Sequence, residues 1–378
     1  MRQRRQQRRQ YRHISRLLLN LLEPIRKWYE RWRAVREWAR RGVKASADAG
    51  RMVFESLEPR ILMSADLMPV SAGLSSSGSI YAGDSISALM QVNRQGTDAI
   101  GVPVRIQFYA STDSVLDNSD VSIGQVDVPV GQLPTGTNTV TVPLDTSTIA
   151  RPGSYRLIGV VDPANTIAES DETNNRVVSN QMLDLRFVVG QIPGRAAIPS
   201  ITLTDADGTR FTLAMSGPGM ATLSALPVAP GTPLSVSAPY VLTITGSDAS
   251  TRIDLTGTGG DGRMELAGLS ADSPLGTLNA PVAMLTGTAS FGAITTLTLG
   301  DSSSASALRG AGISTLNVGG NALGALSLSG VGVTGFVLGN ANIGGNLGGL
   351  WSVTGRGNVV TAQQTTQTWQ ANFGTALS

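Results

Sequence analysis

The segment VRIQFYA at residues 104–110 decides the fold class, because every second residue along it is apolar. Successive side chains of a β-strand point to opposite faces, so this alternation predicts a strand with one buried face. The pattern recurs along residues 67–190, for example in SISALMQVN at residues 85–93, and short turns rich in Gly, Asp and Asn separate the copies. About seven such strands within roughly 120 residues are typical of an immunoglobulin-like β-sandwich.

The composition supports extended structure and excludes several kinds of site. Of the 378 residues, 44 are glycine and only 15% are charged, which suits β-strands joined by tight turns. The chain has no cysteine and a single histidine, His13. A disulfide framework, a thiolate metal site and a site with two imidazole ligands are therefore excluded. No apolar run approaches the roughly 20 residues that a membrane-spanning helix needs.

Tyr155 is a candidate for a structural role within the sandwich. It begins a late strand after the turn-forming pair Pro152-Gly153. At that place in an immunoglobulin-like sandwich, a tyrosine corner is formed by a hydroxyl that bonds to backbone a few residues upstream. We therefore expect Tyr155 to be buried, with a backbone partner for its hydroxyl.

The segment VDPANTIAESDETNN at residues 161–175 carries a family resemblance. Its Asp-Pro pair, its Glu-Ser-Asp-Glu run and the paired asparagines Asn174 and Asn175 follow a Gly-x-Tyr strand at residues 153–155. In this order the features resemble the signature of CARDB, the cell-adhesion-related domain found in bacteria. The resemblance spans about residues 68–187. It implies a β-sandwich used as an extracellular adhesion or spacer module, and it implies no catalytic residues.

Four acidic side chains of this segment are candidate calcium ligands. No basic residue lies between them, and calcium takes roughly six to eight oxygen ligands of the kind that such loops supply. Their spacing matches neither an EF-hand nor the glycine-rich nonapeptide calcium repeat. The alternative is a set of solvated turns in which the side chains bond their own backbone. The candidates are Asp162, Glu169, Asp171 and Glu172.

A change in pattern follows at residues 191–270, where Asp-Gly pairs predict β-hairpins. TDADGTRFTL at residues 204–213 has strand-like flanks on both sides of such a pair. STRIDLTGTGGDGRMELAGL at residues 250–269 has the same arrangement around Asp261 and Gly262. We therefore expect two hairpins between the sandwich and the segment that follows.

Short apolar triplets recur along residues 271–350. The clear copies start at residues 294, 313 and 333, with one more between them at residue 323. A fixed period near twenty, with glycine or asparagine at the corners, predicts a parallel β-solenoid whose turns bury their triplets against one another. A low-complexity disordered segment is the alternative, although disorder does not require regular triplets. We predict that residues 351–378 form a C-terminal tail after these repeats. The triplets are Ile294, Leu297 and Leu299; Ile313, Leu316 and Val318; Leu323, Leu326 and Leu328; and Val333, Phe336 and Leu338.

Some β-helical proteins act on polysaccharides, so a carbohydrate-active protein, either a lyase or a lectin, is the alternative function. Lyase or hydrolase chemistry needs paired carboxylates, or a base with a positioned cation. Asp301 is the last acidic residue, and residues 302–378 contain only two charged side chains, Arg309 and Arg356. The predicted solenoid offers no carboxylate pair, and we expect no enzymatic activity.

Residues 1–53 form a basic segment ahead of a mildly acidic body. Residues 1–63 carry 17 Lys and Arg against 6 Asp and Glu. Apolar residues spaced three or four apart predict a helix over residues 24–41, preceded by a shorter one. The stripe consists of Leu18, Leu21, Ile25, Trp28, Trp32, Val35 and Ala39.

Trp28 and Trp32 on this stripe are candidates for contact with a membrane surface. A basic amphipathic helix can lie on anionic lipid, and we expect residues 1–45 to be the segment involved. Nucleic acid binding through phosphate neutralisation is a less favoured alternative. A leader helix that pairs with another protein is the third.

The segment FESLEPRILMSAD at residues 54–66 closely resembles the LEPR-XLL motif, found near the N-termini of very large, repetitive bacterial surface or exported proteins. Met63 stands where the family has its second leucine. The resemblance implies an exported surface protein, although it covers only about thirteen residues. The matching residues are Leu57, Glu58, Pro59, Arg60 and Leu62.

These features favour a non-enzymatic, exported or cell-surface structural or adhesion protein of a bacterium. We expect a protein or glycan partner at a cell surface and, apart from the calcium hypothesis, no cofactor. The apolar run LLLNLL at residues 17–22 is too short for the core of a Sec signal peptide, so we expect export without a recognisable one.

Overall fold

The computed structural model describes residues 27–33, 35–36, 65–76, 80–226, 239–330, 332 and 334–374. The chain divides into two compact units, Met1–Ile61 and Leu62–Ser378. In the first unit, the described residues 27–33 and 35–36 are helical and exposed, within the predicted helix at residues 24–41. The other members of the predicted stripe, Leu18, Leu21, Ile25 and Ala39, lie outside the described residues.

The second unit is built from β-strands, with a single 3₁₀ turn at Thr146–Thr148 among its described residues. The strands are β1 (Asp66–Leu74), β2 (Ile80–Tyr81), β3 (Ser85–Gln95), β4 (Val104–Ser111), β5 (Val121–Val128), β6 (Gly136–Asp145), β7 (Gly153–Val161), β8 (Arg176–Gly190), β9 (Ser200–Thr204), β10 (Arg210–Ser216), β11 (Met220–Ala225), β12 (Tyr240–Thr245), β13 (Arg252–Thr258), β14 (Met264–Ala271), β15 (Leu275–Ser302), β16 (Ala307–Val318), β17 (Ala325–Leu328), β18 (Leu338–Leu347), β19 (Leu350–Val353), β20 (Gly357–Thr365) and β21 (Gln370–Phe373).

Strands β1 to β8 form two sheets with an apolar core between them. One sheet has the order β1-β3-β6, and the other has the order β5-β4-β7-β8 with the short β2 at its edge. Met90 and Val142 of the first sheet and Ile106, Phe108 and Leu157 of the second have no exposed surface. The alternation that predicted these strands places their apolar faces inward, which gives the expected immunoglobulin-like arrangement.

Strand β8 belongs to two sheets, because it is 15 residues long. Its Leu185 pairs with Ile80 of β2 in the sandwich. Two residues further on, Phe187 pairs with Leu223 of β11, in the sheet that follows. One continuous strand therefore carries backbone hydrogen bonding from the sandwich into the second half of the unit.

The first of the two predicted hairpins is confirmed and the second is wrong. β9 and β10 pair antiparallel around a turn that contains Gly208, whose φ of +88° suits glycine. Among the described strands, β13 and β14 do not pair with each other. They lie on different ladders, since β13 pairs with β10 and β15 while β14 pairs with β12 and β15. The Asp-Gly turn at 261–262 joins these ladders and closes no hairpin.

From Tyr240 onward the strands pair in parallel along two ladders, which together we call the parallel stack. On one ladder Ile294 pairs with Ile313, which pairs with Leu338, so that partners lie 19 and 25 residues apart. On the other ladder Leu326 pairs with Trp351. The triplet at residue 323 lies on this second ladder, which explains why it falls between the regular starts.

The parallel stack extends beyond the predicted repeats at residues 271–350. It begins with β12 and ends with β21, so most of residues 351–378, predicted to be a tail, continues it. Trp351 is only 2% exposed inside the stack. The prediction of a tail was wrong because β20 and β21 carry Asn, Gln and Thr where earlier turns carry leucine triplets.

Candidate functional site

The loop between β7 and β8, residues 162–175, folds back onto the start of β1. Its first residue, Asp162, is buried and adopts a positive φ of 45°. The Asp162 carboxylate accepts hydrogen bonds from Thr166 Oγ1 at 2.8 Å and from the Ile167 backbone N–H at 2.7 Å. These bonds hold the first half of the loop in a tight turn, because an aspartate side chain can substitute for a backbone acceptor.

Glu169 joins this loop to β1. Its side chain is 3% exposed, and its two carboxylate oxygens accept hydrogen bonds from the Leu67 backbone N–H and, at 3.2 Å, from Asn175 Nδ2. Burial raises the pKa of Glu169 from its ordinary 4.5 to about 7, and the nearby carboxylates of Glu172 and Asp66 act in the same direction. Glu169 is therefore a buried acid in a cluster of like charges.

Two further contacts connect the loop with the residues just before Leu67. Asn174 Nδ2 donates to Asp66 Oδ1 at 3.0 Å, and the Ser170 backbone N–H donates to the Ala65 carbonyl at 2.9 Å. We call Asp66, Glu169, Glu172, Asn174 and Asn175 the Glu169 cluster. It connects two parts of the chain more than a hundred residues apart, and it gives the paired asparagines a structural role.

The remaining predicted calcium ligands bond to the loop itself. Asp171 Oδ1 accepts from the backbone N–H and the hydroxyl of Thr173, which lowers the pKa of Asp171. Glu172 Oε1 accepts from the Glu169 backbone N–H at 2.8 Å. In the part of the chain that the structure describes, no group of three or more acidic, imidazole or thiol side chains is arranged to hold a metal ion. Calcium binding stays a prediction.

Tyr155 lies at the opposite end of β7. Its ring is 6% exposed, and its hydroxyl donates to the Arg151 carbonyl, four residues upstream, at 2.9 Å. This is the backbone bond that a tyrosine corner requires. Burial raises the pKa of Tyr155 to about 12, so the hydroxyl stays protonated and able to donate.

Replacing Tyr155 with phenylalanine is expected to lower the free energy of unfolding by about 1–3 kcal/mol, because the Arg151 carbonyl loses its donor inside the core. Urea denaturation of the full chain measures the change. Tyr109→Phe is the matched control, since the Tyr109 ring on β4 is only partly buried. Equal effects of the two substitutions would place the Tyr155 hydroxyl in solvent.

The Glu169 cluster predicts a pH dependence of stability. The folded state holds a proton on Glu169 more tightly than the unfolded chain does, so this group favours folding most at pH values below about 4.5. As pH rises from 4.5 to about 7, the contribution of Glu169 to the free energy of unfolding should fall by about 1–3 kcal/mol. The measurement is the difference in unfolding free energy between the native chain and Glu169→Gln, followed across pH. The control is Glu265→Gln on the exposed side of β14, whose difference should stay constant.

The predicted membrane-contact residues are exposed in the described helical residues. Trp28 is 66% and Trp32 is 45% exposed, and the Arg36 guanidinium lies 4.5 Å from the centre of the Trp32 ring. No helix within the described residues has the length and apolar character to cross a membrane. The motif residues Leu57, Glu58, Pro59, Arg60 and Leu62 lie outside the described residues, so the LEPR-XLL resemblance stays a prediction.

The fold and the site define an immunoglobulin-like domain of two sheets. An acidic loop with paired asparagines covers its first strand. The CARDB family model matches residues 64–179, and this part of the chain is a CARDB domain, which confirms that resemblance.

The chain is also similar to the CARDB domain of a Pyrococcus furiosus protein in two solved structures. One is a crystal structure in complex with di-metal ions, with 15% identity and a TM-score of 0.22. The other is a solution NMR structure, with 17% identity and a TM-score of 0.23. Each similarity covers 32% of this chain and 94% of the solved chain. No curated protein sequence matches the chain.

Proposed function

We propose that this chain is a non-enzymatic structural or adhesion protein of a bacterial cell surface, in which the CARDB domain is carried by a β-solenoid. The observation that supports this most is the dual membership of β8, since Leu185 pairs within the CARDB domain and Phe187 pairs with β11 beyond it. A module joined by continuous backbone hydrogen bonding cannot swing freely on a linker. Such a joint suits a protein that holds a domain at a fixed distance from an anchoring point.

The solenoid part of the proposal rests on the regular offsets of the parallel stack. Partners such as Ile294 and Ile313, or Leu338 and Gly357, lie 19 residues apart, and others lie 25 apart. Parallel strands joined by connections this short, with buried Leu and Ile at matching positions, are the arrangement of a chain that winds in turns and buries each turn on its neighbour.

Side-chain contacts reinforce the joint between the CARDB domain and the strands that follow it. Asp84 is buried beside β2 and pairs with Arg195. On the other side, Arg151 Nε donates to the Thr204 carbonyl at 2.9 Å, and the Thr204 backbone N–H donates to the Ala150 carbonyl at 3.0 Å. These contacts flank β8, so they support a rigid rather than a hinged connection.

A surface role without catalysis agrees with the chemistry of the stack. Residues 302–378 have no acidic side chain and only two charged ones, Arg309 and Arg356. Arg356 lies over the Phe336 ring, 5.0 Å from its centre. This final part of the stack, without any carboxylate, is suited to holding a protein or glycan partner and poorly suited to acid–base chemistry.

Surface exposure is the testable core of the proposal. Antibodies against the CARDB domain should label intact cells of the source bacterium, and protease added outside the cells should remove the label. Labelling that requires permeabilised cells would overturn the proposal.

The basic residues 1–45, with exposed Trp28 and Trp32, are proposed to contact anionic lipid during export. A blue shift of tryptophan emission with anionic but not neutral vesicles tests that part separately.

A further inference from the structure

A groove of about 320 Å³ lies on the surface of the parallel stack and crosses several of its turns. Its polar lining residues are Thr298, Asn317, Asn342 and Thr361. These four are register partners along one ladder, because Thr298 pairs with Asn317, Asn317 pairs with Asn342, and Asn342 pairs with Thr361. The groove therefore follows the direction in which the turns are stacked, and each of four turns contributes one polar side chain to it.

The polar side chains of the groove form an ordered row. Neighbouring strands lie about 4.7–4.9 Å apart, so the row repeats with that spacing. Asn342 Nδ2 donates to Asn317 Oδ1 at 2.9 Å, and Asn317 Nδ2 donates to Thr298 Oγ1 at 3.5 Å. A side-chain amide has two N–H donors and an oxygen with two lone pairs. Each asparagine is thus held in one orientation by its neighbour and keeps further capacity to donate and to accept.

The rest of the lining consists of glycine and apolar residues. Gly319 and Gly344 are exposed, so no side chain fills the groove beside the asparagines. The packing of the turns requires glycine at position 344, where a Cβ atom would lie 2.2 Å from the Gly319 carbonyl oxygen. Apolar lining is contributed by Leu299, Val318 and Ile343. A concave surface that combines apolar atoms with a few ordered polar groups is the usual character of a ligand site.

The charge and the spacing of the groove exclude two classes of partner. None of the residues that line it is ionisable, whereas binding of nucleic acid depends on cationic side chains that neutralise phosphates. An extended peptide advances roughly 3.3 Å per residue, so its polar groups would fall out of step with a row that repeats about every 4.8 Å. A matching partner is uncharged and linear, and its repeat is close to one strand spacing.

We infer that the groove binds a neutral, extended polysaccharide of β-1,4-linked hexoses, which lies along the direction of stacking. A sugar residue in such a chain advances by about one strand spacing, so each turn offers an amide or a hydroxyl to one sugar. Hexose hydroxyls both donate and accept, as the asparagine side chains do, and the C–H faces of the rings can pack against the apolar lining. This inference rests on the proposed role of the stack as a surface that holds a partner, and it names the class of that partner.

Isothermal titration of the full chain with cellohexaose, a soluble oligosaccharide of this linkage, tests the inference. Asn342→Ala removes one amide from the row and should weaken binding about tenfold, because a sugar hydroxyl loses its partner. Asn358→Ala is the matched control. Asn358 Nδ2 donates to Asn340 Oδ1 at 3.0 Å, a bond of the same kind as that of Asn342, but Asn358 does not line the groove. The control should bind as the native chain does, which separates loss of a ligand contact from loss of a bond between turns.

Gly319→Gln tests the groove by filling it. A Cβ atom at Gly319 would lie 3.7 Å from its nearest neighbour, the Gly300 carbonyl oxygen, so the chain should fold normally with a circular dichroism spectrum unchanged from the native one. Binding of cellohexaose should be lost, whereas Gly101→Gln, at a site with no atom within 4 Å of the added Cβ, should bind normally.

Two further polysaccharides test the linkage and the charge of the partner. Dextran, which is α-1,6-linked, and polygalacturonate, which is charged, should not bind. A native chain that ignores cellohexaose, equal affinities for the native chain and Asn342→Ala, or equal binding of dextran would overturn the inference. These titrations use purified protein, so such a result would leave the proposed surface role standing, and labelling of intact cells tests that role by itself.

Discussion

Replacing Gly287 with alanine is expected to destabilise the chain by about 3 kcal/mol, the upper end of the range for forcing an extra carbon into packed structure. A Cβ atom at Gly287 would lie 1.8 Å from the Ala267 carbonyl oxygen and 2.8 Å from the carbonyl carbon. Gly287 stands at a register shift between β14 and β15, where Leu266 pairs with Leu285 and Gly268 pairs with Thr288. The obstacle is backbone within a parallel ladder, so it cannot rotate away as a side chain would, and two turns of the parallel stack must separate.

Gly101→Ala is the matched control for this prediction. A Cβ at Gly101 would meet no atom within 4 Å, and its backbone is outside the left-handed region. The same chemical change should therefore be neutral or slightly stabilising, because alanine restricts the unfolded chain. Urea denaturation followed by tryptophan fluorescence compares the two variants. Equal midpoints for Gly287→Ala and the native chain would show that the close packing of turns at Ala267 is not required.

The strands and the core of the CARDB domain follow directly from the sequence. The alternation in VRIQFYA gives β4, and its apolar members Ile106 and Phe108 are fully buried. The alternation of apolar and polar residues is a local property of the sequence. It identifies both the strand and the face of the strand that is buried in the core. The triplets of the second half behave in the same way, since Ile294, Leu297 and Leu299 are all buried.

Strand partners could not be predicted in the same way. The turn at Asp261 and Gly262 has the composition of a hairpin turn, yet β13 and β14 pair with strands of neighbouring turns of the stack. A turn sequence encodes only a local reversal of chain direction. Strand pairing depends on which strands are neighbours in the folded chain, and the turn does not encode that. The continuation of the stack through Trp351 was missed for a related reason, since its strands lack the leucine triplet.

The Glu169 cluster shows the limit of sequence reasoning about the site. In the sequence, the acidic side chains of this segment give only a calcium hypothesis, and the paired asparagines give only a family resemblance. Two members of this segment, Glu169 and Asn174, bond to Leu67 and Asp66, more than a hundred residues earlier. Nothing in the spacing of a loop indicates which distant strand it will cover, so the role of Glu169 in holding β1 could be seen only in the structure.

Phe187→Ala is expected to have the largest effect on stability, because this side chain lies at the joint between the CARDB domain and the strands beyond it. Phe187 is 1% exposed and pairs with Leu223 of β11. Truncating a buried phenylalanine to alanine costs about 3–5 kcal/mol, from lost apolar burial and the cavity that remains.

The position of the tryptophans makes the consequence of this loss measurable. The only tryptophans after residue 62 are Trp351 and Trp369, and both belong to the parallel stack. In a chain without the basic N-terminal segment, tryptophan fluorescence therefore reports unfolding of the stack alone, while far-ultraviolet circular dichroism reports all the strands. If β8 joins the two parts into one cooperative unit, Phe187→Ala should lower the denaturation midpoint seen by both probes to the same extent.

Phe108→Ala decides between this cooperative unit and two independent domains. Phe108 is fully buried in the CARDB domain, on β4, whereas both tryptophans lie in the parallel stack. In a cooperative unit its truncation should also shift the fluorescence midpoint, whereas exposed Val130→Ala should shift neither probe. Fluorescence midpoints that stay at the native value in Phe108→Ala, while circular dichroism shows an earlier transition, would mean that the CARDB domain unfolds by itself. The proposed rigid support of that domain would then lose its physical basis. The joint at β8 would contribute too little free energy to couple folding of the CARDB domain to folding of the parallel stack.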